Sequence, residues 1–175
     1  MKKNLLILLA VCMVAFITAH AEPFFADQSD WPLTEFAQHT YPLAEFIDGG
    51  PGKDGIPALN QPQFDNIKQA EDWLDEREPV VVFTLNNQAR AYPLQILMYH
   101  EIVNDVVDQQ EIMVTYCPLC NAAMVFSRKL AGEVLQFGVS GKVHASNLVM
   151  FDRQTESWWL QFTGQAERKI EPWNQ

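Results

Sequence analysis

The sequence predicts a mainly β domain of the α+β type, in which successive hairpins form an antiparallel sheet accompanied by two short helices. Three observations lead to this fold class. Apolar residues alternate over strand-length segments, turn residues separate those segments at short intervals, and helical spacing is confined to two short windows. A partly closed barrel is one arrangement open to such a sheet. The length of 175 residues suits one domain with its own core.

Two segments are predicted to be helical. Apolar residues recur at helical spacing in the first, at Phe64, Ile67, Ala70 and Leu74. This spacing predicts a helix over residues 65–75, and the acidic run at 71–78 is interpreted as its solvated end. A second helix is predicted over 93–99, because Pro93 suits the first helical position.

Four hairpins are predicted from paired apolar segments with a turn between them. The strand pairs are 80–85 with 89–92, 102–107 with 112–116, 124–128 with 134–139, and 148–151 with 157–162. The first pair is joined by Asn86-Asn87, which predicts a tight two-residue turn. The hairpins therefore predict one continuous antiparallel sheet.

The N-terminus has the pattern of an export signal. Lys2 and Lys3 precede an apolar run over 5–17, and Ala19-His20-Ala21 resembles a cleavage site. We therefore expect a signal peptide over 1–21, cleavage before Glu22, and a periplasmic or secreted protein. The apolar run is shorter than the roughly 20 residues of a membrane span, so we expect no stable membrane insertion after cleavage. Lipidation at Cys12 is a less favoured alternative.

The rest of the chain divides by composition into two segments. Residues 22–62 are rich in proline and aromatic residues without a strand or helix period, which predicts a loop-rich arm over the main body. Residues 63–175 form the β-rich domain, and 165–175 lose all periodicity as though the domain were truncated. The formal net charge of −10 argues against nucleic acid and anionic membranes as partners.

The chemistry of the chain is concentrated at Cys117-Pro118-Leu119-Cys120, since the remaining cysteine lies within the expected signal peptide. A structural disulfide is one interpretation, but so short a loop would contribute only about 2 kcal/mol. A soft metal ion is another, with copper as Cu(I) held by both sulfurs and His100 as a third ligand. Reversible thiol chemistry is the favoured interpretation, because an oxidising compartment lets such a pair cycle.

In the redox interpretation Cys117 is the attacking thiol and Cys120 the resolving one. The partner is another thiol or disulfide protein, or a small thiol, and no cofactor is expected. His100 followed by Glu101 could supply a base with its orienting carboxylate, and Arg153 could supply the cation that a thiolate needs in an acidic chain. The ordinary alternatives are a helix-end histidine and a salt-bridged turn.

Four other side chains have less specific signals. Ser140 and Asn121 could donate hydrogen bonds near the cysteines, or could serve in turns. Trp158 and Trp159 alternate faces if they lie on a strand, so one is expected in the core and the other could line a binding cleft. A third functional class follows from this pair: a non-catalytic envelope binding domain that uses the tryptophan surface.

Six motifs from residue 55 onwards resemble a bacterial family of domains of unknown function, family 3179. They are GIPA (55–58), AYPLQILM (91–98), HEIVND (100–105), TYCPLCN (115–121), FGVSG (137–141) and DRQTESWW (152–159). The resemblance implies redox use of the cysteine motif, because some members carry selenocysteine within it. Members usually continue well beyond the tryptophan pair, and the position of His144 is commonly occupied by other residue types. His100 lies within a family motif.

Overall fold

A computed structural model describes residues 28–166 of the chain. The expected signal peptide, its cleavage before Glu22 and the lipidation alternative at Cys12 lie outside the described residues. Within the described part no helix is long and apolar enough to cross a bilayer.

The described chain is mainly β with short helices, which confirms the predicted fold class. Its strands are β1 (Phe46–Asp48), β2 (Leu59–Asn60), β3 (Val80–Leu85), β4 (Gln88–Pro93), β5 (Ile102–Val107), β6 (Gln110–Cys117), β7 (Ala122–Ser127), β8 (Lys129–Leu130), β9 (Glu133–Val134), β10 (Phe137–His144), β11 (Asn147–Asp152), β12 (Trp158–Leu160) and β13 (Gln165–Ala166). Its helices are α1 (Ile67–Ala70) and α2 (Leu94–His100), and two 3-10 turns cover Gln28–Asp30 and Leu43–Glu45.

The strands form two open sheets and two separate hairpins rather than one closed barrel. One sheet has the order β1-β10-β11-β12-β13, and the other has the order β2-β5-β6-β7. Neighbours in both sheets are antiparallel except β2 and β5, which run parallel. The predicted single sheet is therefore split in two, and the barrel is not formed among residues 28–166.

The two sheets face each other across a shared apolar core. Side chains from both sheets meet there, namely Ile102, Met113 and Cys117 from one and Phe137, Val139, Leu148, Met150 and Trp159 from the other. Strand β6 is central and buried on both faces, because successive side chains point to opposite sides. Val114 and Tyr116 accordingly pack on the outer face, under α2 and the β3–β4 hairpin.

The segment before β2 covers the outer face of the five-stranded sheet. Trp31 and Phe46 pack there with Phe151 and Trp158, and the Trp31 ring meets the Phe151 ring edge-on at 5.1 Å. Residues 28–60 also contribute one edge strand to each sheet, β1 and β2.

Two of the predicted hairpins form with tight turns. Strands β3 and β4 pair through Asn86-Asn87, and β5 and β6 pair through Asp108-Gln109, whose φ angles of 47° and 66° are left-handed. This conformation matches the twist of paired strands, and Asp and Asn tolerate it better than most residues. The fourth predicted hairpin is also present as β11 and β12.

The third predicted hairpin forms only next to its turn, as β8 and β9, and its longer strand pairing is wrong, because β7 pairs with β6, and β10 pairs with β1 and β11. The chain passes between the two sheets at Arg128. Its guanidinium donates to three carbonyl oxygens, those of Ile112 at 2.9 Å, Leu135 at 2.9 Å and Asp105 at 3.2 Å.

Both predicted helices exist, with different bounds. Helix α1 begins after Asn66, whose side chain forms a capping box with Gln69, and it is shorter than predicted. Glu71 and Asp72 follow it at once, and negative charge at a helix C-terminus opposes the helix dipole. Helix α2 begins after Pro93, which ends β4, and it stops at Glu101 in a left-handed conformation with φ 56°.

Candidate functional site

The Cys-Pro-Leu-Cys motif forms the turn between β6 and β7. Cys117 is the last residue of β6 and pairs with Ala122, so residues 118–121 close the connection. Asn121 holds the turn in a left-handed conformation with φ 48°, and its side-chain oxygen accepts a hydrogen bond from the Tyr116 hydroxyl at 2.9 Å. The predicted strand-to-strand turn is confirmed, and Asn121 serves that turn.

The two thiols differ in their environments. Cys117 is 1% exposed and belongs to the core between the sheets, whereas Cys120 is half-buried at the edge of that core. Burial, and after it the interaction with the neighbouring Cys120 thiol, raises the pKa of Cys117. Cys120 is therefore the thiol that a partner reaches first.

A side-chain amide faces the sulfur of Cys120. Asn147, the first residue of β11, places Nδ2 at 3.3 Å from Cys120 Sγ and at 2.7 Å from Gln161 Oε1. The two hydrogens of this nitrogen thus point to two acceptors. An N–H group aimed at sulfur stabilises negative charge there.

The orientation of the Asn147 amide is determined by its neighbours. The carbonyl of Ala122 can only accept, so the Gln161 atom at 3.0 Å from it is Nε2. Gln161 Oε1 therefore faces Asn147, which must present Nδ2. The backbone N–H of Phe162 donates to Asn147 Oδ1 at 3.1 Å, which is consistent with this orientation.

Gln161 extends this arrangement into a buried polar network. Its Nε2 also donates to the Thr115 hydroxyl at 2.9 Å, and Thr115 donates to the Met124 carbonyl at 3.3 Å. Gln161 and Thr115 are fully buried and Asn147 is 4% exposed. Buried polar groups that are fully bonded are held rigidly, so the network fixes the amide beside Cys120.

His100 and Glu101 lie at the same end of the four-stranded sheet as the cysteines. The Glu101 carbonyl accepts the Tyr116 N–H at 2.8 Å, one residue before Cys117. Burial raises the pKa of the Glu101 carboxyl to about 7. His100 Nδ1 lies 2.7 Å from the Pro57 carbonyl, and because a carbonyl can only accept, Nδ1 is the donor in this bond. Among the described residues no hydrogen bond joins His100 to a cysteine.

Arg153 is not brought to the cysteines. It lies beyond the end of β11 opposite Asn147, about 20 Å along the strand at 3.3 Å per residue. Its guanidinium makes two hydrogen bonds to the carboxylate of Asp54, at 2.7 and 2.8 Å, and these raise the pKa of Arg153. The salt-bridged turn is therefore the observed role.

Ser140 and the tryptophan pair are also structural. Ser140 lies in a bulge of β10, where its hydroxyl donates to the Val149 carbonyl. Trp158 and Trp159 are 3% and 2% exposed and point to opposite faces, so the prediction that one of them lines a surface cleft is wrong. Trp159 Nε1 donates to the buried carboxylate of Asp152 at 2.9 Å.

Metal ligands are sparse in the described part of the chain. Residues 28–166 contain no cluster of three or more His, Cys, Asp or Glu side chains arranged to hold an ion. His144 bonds to Glu45 at 3.0 Å, and His39 lies against the Phe36 carbonyl at 2.9 Å. The two sulfurs of the turn are the soft ligands that lie close together.

The fold and this site define a two-layer β domain with a Cys-x-x-Cys turn at one end of its inner core. Residues 53–170 match the family described as Protein of unknown function (DUF3179), so the chain belongs to that family, and the resemblance seen in the motifs is confirmed. No curated protein matches the chain, and no solved structure matches it.

Asn147 and Gln161 were not among the site residues predicted from the sequence. Both are polar residues within apolar segments, flanking Leu148 and Leu160, and that is the signal that marks them. The contact from Asn147 to Cys120 spans 27 residues and that from Gln161 to Thr115 spans 46. Such distant pairs depend on how the two sheets are assembled.

Proposed function

We propose that the protein is an exported thiol–disulfide redox protein in which Cys117 and Cys120 alternate between dithiol and disulfide. The observation that supports this most is the pairing of a half-buried sulfur, faced by the Asn147 amide, with a second sulfur buried behind it. A structural staple would gain nothing from an amide donor held by a buried network.

The burial of Cys117 favours an exchange of the roles predicted from the sequence. Cys120 attacks the disulfide of a partner protein or a small disulfide, forming a mixed disulfide and releasing one partner thiolate. Cys117, as a thiolate, then attacks Cys120 Sγ, which closes the 117–120 disulfide and releases the second partner thiolate. Two electrons pass to the partner, and the reverse sequence recharges the pair.

Trapping the mixed disulfide tests this order. A Cys117→Ser variant treated with oxidised glutathione should accumulate an adduct at Cys120, because no resolving thiol remains. Cys120→Ser should form its adduct far more slowly. A redox titration of the unmodified protein should show reversible interconversion. An adduct that forms faster at Cys117, or a pair that no thiol can reduce, would contradict the proposal.

Copper binding is the second candidate, and the closeness of the two sulfurs favours it. Cu(I) is soft and accepts thiolate ligands, so a pair within one turn could hold it. Titration of the reduced protein with Cu(I) against a competing chelator separates the two functions. Stoichiometric binding lost in both single Cys→Ser variants would place copper ahead of redox exchange.

A further inference from the structure

A large cleft lies on the face of the four-stranded sheet that is turned away from the cysteines. It has a volume of about 1010 Å³ and separates residues 62–78 from β4 and α2. Apolar side chains line both sides, namely Ile67 and Trp73 from residues 62–78, and Tyr92 and Ile96 from β4 and α2. Its volume reaches the upper end of the range of about 300–1,000 Å³ for small-molecule pockets, so it can hold several side chains.

The apolar lining of the cleft is unusually exposed. Ile67 is 82% exposed, Trp73 47%, Phe64 40% and Ile96 37%, and α1 buries none of its residues. Apolar surface left in water is unfavourable in proportion to its area. Grouped exposure of this kind marks an interaction site.

The outer wall of the cleft is anchored near both of its ends. At one end the Arg90 guanidinium lies 4.3 Å above the Phe64 ring, and that ring meets the Tyr92 ring edge-on at 5.5 Å. At the other end a Glu78 carboxylate oxygen accepts the Gln95 N–H at 2.7 Å. Residues 62–78 are thus fixed to the sheet near both ends, and the cleft lies between these two contacts.

The charge of the lining indicates the chemistry of the occupant. Five carboxylates line the cleft: Asp65, Glu71, Asp75, Glu76 and Glu78. Arg90 is the cation in the described lining, and Asp105 pairs with it at 3.1 Å. The cleft therefore has an excess of negative charge. A second copy of a chain with net charge −10 would be repelled, whereas a cationic partner would be attracted.

We propose that this cleft binds an apolar peptide segment of a partner protein that carries lysine or arginine. Apolar side chains of the segment pack against Ile67 and Trp73, and its cationic groups lie beside Glu71 and Glu76. The Trp73 ring offers a face for a cation, as Phe64 does for Arg90. This proposal is independent of the redox function, because Val103 lines the cleft while Ile102 and Cys117 face the opposite side of the sheet.

Synthetic peptides of equal length test the proposal on the whole protein. One peptide combines Leu with Lys, a second Leu with Gln, and a third Leu with Glu, and binding is measured by fluorescence anisotropy. We expect the Lys peptide to bind most tightly and to weaken as salt rises. Trp73→Ala should weaken it about tenfold, and so should Glu71→Lys combined with Glu76→Lys. Cys120→Ser should leave binding unchanged.

Glu133→Lys combined with Glu35→Lys is the matched control, because both side chains are exposed and the pair makes the same change in net charge outside the cleft lining. We expect this variant to keep most of the affinity. Equal binding of all three peptides, an absence of binding, or a control that weakens binding as much as the cleft variants would overturn the proposal.

Discussion

The side-chain nitrogen of Asn147 lies 3.3 Å from the sulfur of Cys120, although the two residues belong to different sheets. The half-buried thiol therefore receives its amide contact from the five-stranded sheet, whereas burial raises the pKa of the Cys117 thiol. The packing of the two sheets therefore gives the two sulfurs of one turn different burial and different hydrogen-bond partners.

Replacing Asn147 by Ala should slow alkylation of Cys120. The change removes the donor that stabilises a negatively charged sulfur, and a loss of about 1.4 kcal/mol corresponds to a rate about tenfold lower. Asn147→Asp should slow the reaction further, because a carboxylate repels the thiolate. Site-resolved mass spectrometry after iodoacetamide treatment measures both rates. Asn60→Ala is the control, because it removes an amide that does not contact Cys120, and it should leave the alkylation rate of Cys120 unchanged. An unchanged rate in Asn147→Ala would show that the Asn147 amide does not stabilise the Cys120 thiolate.

Gln161→Leu should both destabilise the fold and slow the alkylation of Cys120. The leucine cannot bond the Thr115 hydroxyl, the Ala122 carbonyl or the Asn147 amide, and losing these buried bonds costs about 2–4 kcal/mol. Urea unfolding measures the first effect and alkylation the second. Gln110→Leu at an exposed strand end should change stability by less than about 0.5 kcal/mol. If the Gln161 variant loses stability but Cys120 is alkylated at an unchanged rate, the buried polar network does not affect the reactivity of the thiol.

Stability should fall as pH rises through neutrality because of Glu101. Burial raises the pKa of this carboxyl to about 7, above its value of about 4.3 in an unfolded chain. The folded chain binds the proton more tightly, so the stabilisation is complete below about pH 4 and is lost as pH rises through about 7. A fully buried group would lose about 3–4 kcal/mol, and partial exposure reduces the expected loss to about 1–2 kcal/mol.

The Glu101→Gln variant checks this pH dependence. Urea unfolding at about pH 5 and about pH 8 should show a smaller difference in this variant than in the unmodified protein. Glu133→Gln, on an exposed strand, should retain the full difference. If Glu101→Gln changes stability equally at both pH values, the carboxyl does not titrate with the fold.

Gly141→Ala should be far more destabilising than Gly132→Ala. Both glycines have left-handed φ angles, of 74° and 92°, but a Cβ at Gly141 would lie 2.4 Å from the Gly52 carbonyl oxygen, whereas one at Gly132 would meet nothing within 4 Å. We expect losses of about 2–5 kcal/mol at Gly141 and about 1–2 kcal/mol at Gly132. Thermal unfolding compares them, and equal losses would show that the close approach to Gly52 relaxes at little cost.

Local features of the fold could be predicted from the sequence, whereas the assembly of the sheets could not. The Asn86-Asn87 turn and the Cys117–Cys120 turn follow from short-range chemistry. A period of two says that a segment is a strand but not which strand it pairs with, so β7 and β10 were matched wrongly. Asn147 and Gln161 become neighbours of the cysteines only after the two sheets pack, and no local spacing encodes that.

The three hydrogen bonds from Arg128 to backbone carbonyls affect how the protein unfolds. The guanidinium connects β5 and β6 to the segment that enters β10, so neither layer can separate without breaking the hydrogen bonds of this half-buried cation. Partial unfolding of one layer is thereby penalised, and the two behave as a single cooperative unit. Amide protons deep in both sheets should then exchange with solvent through the same global opening event.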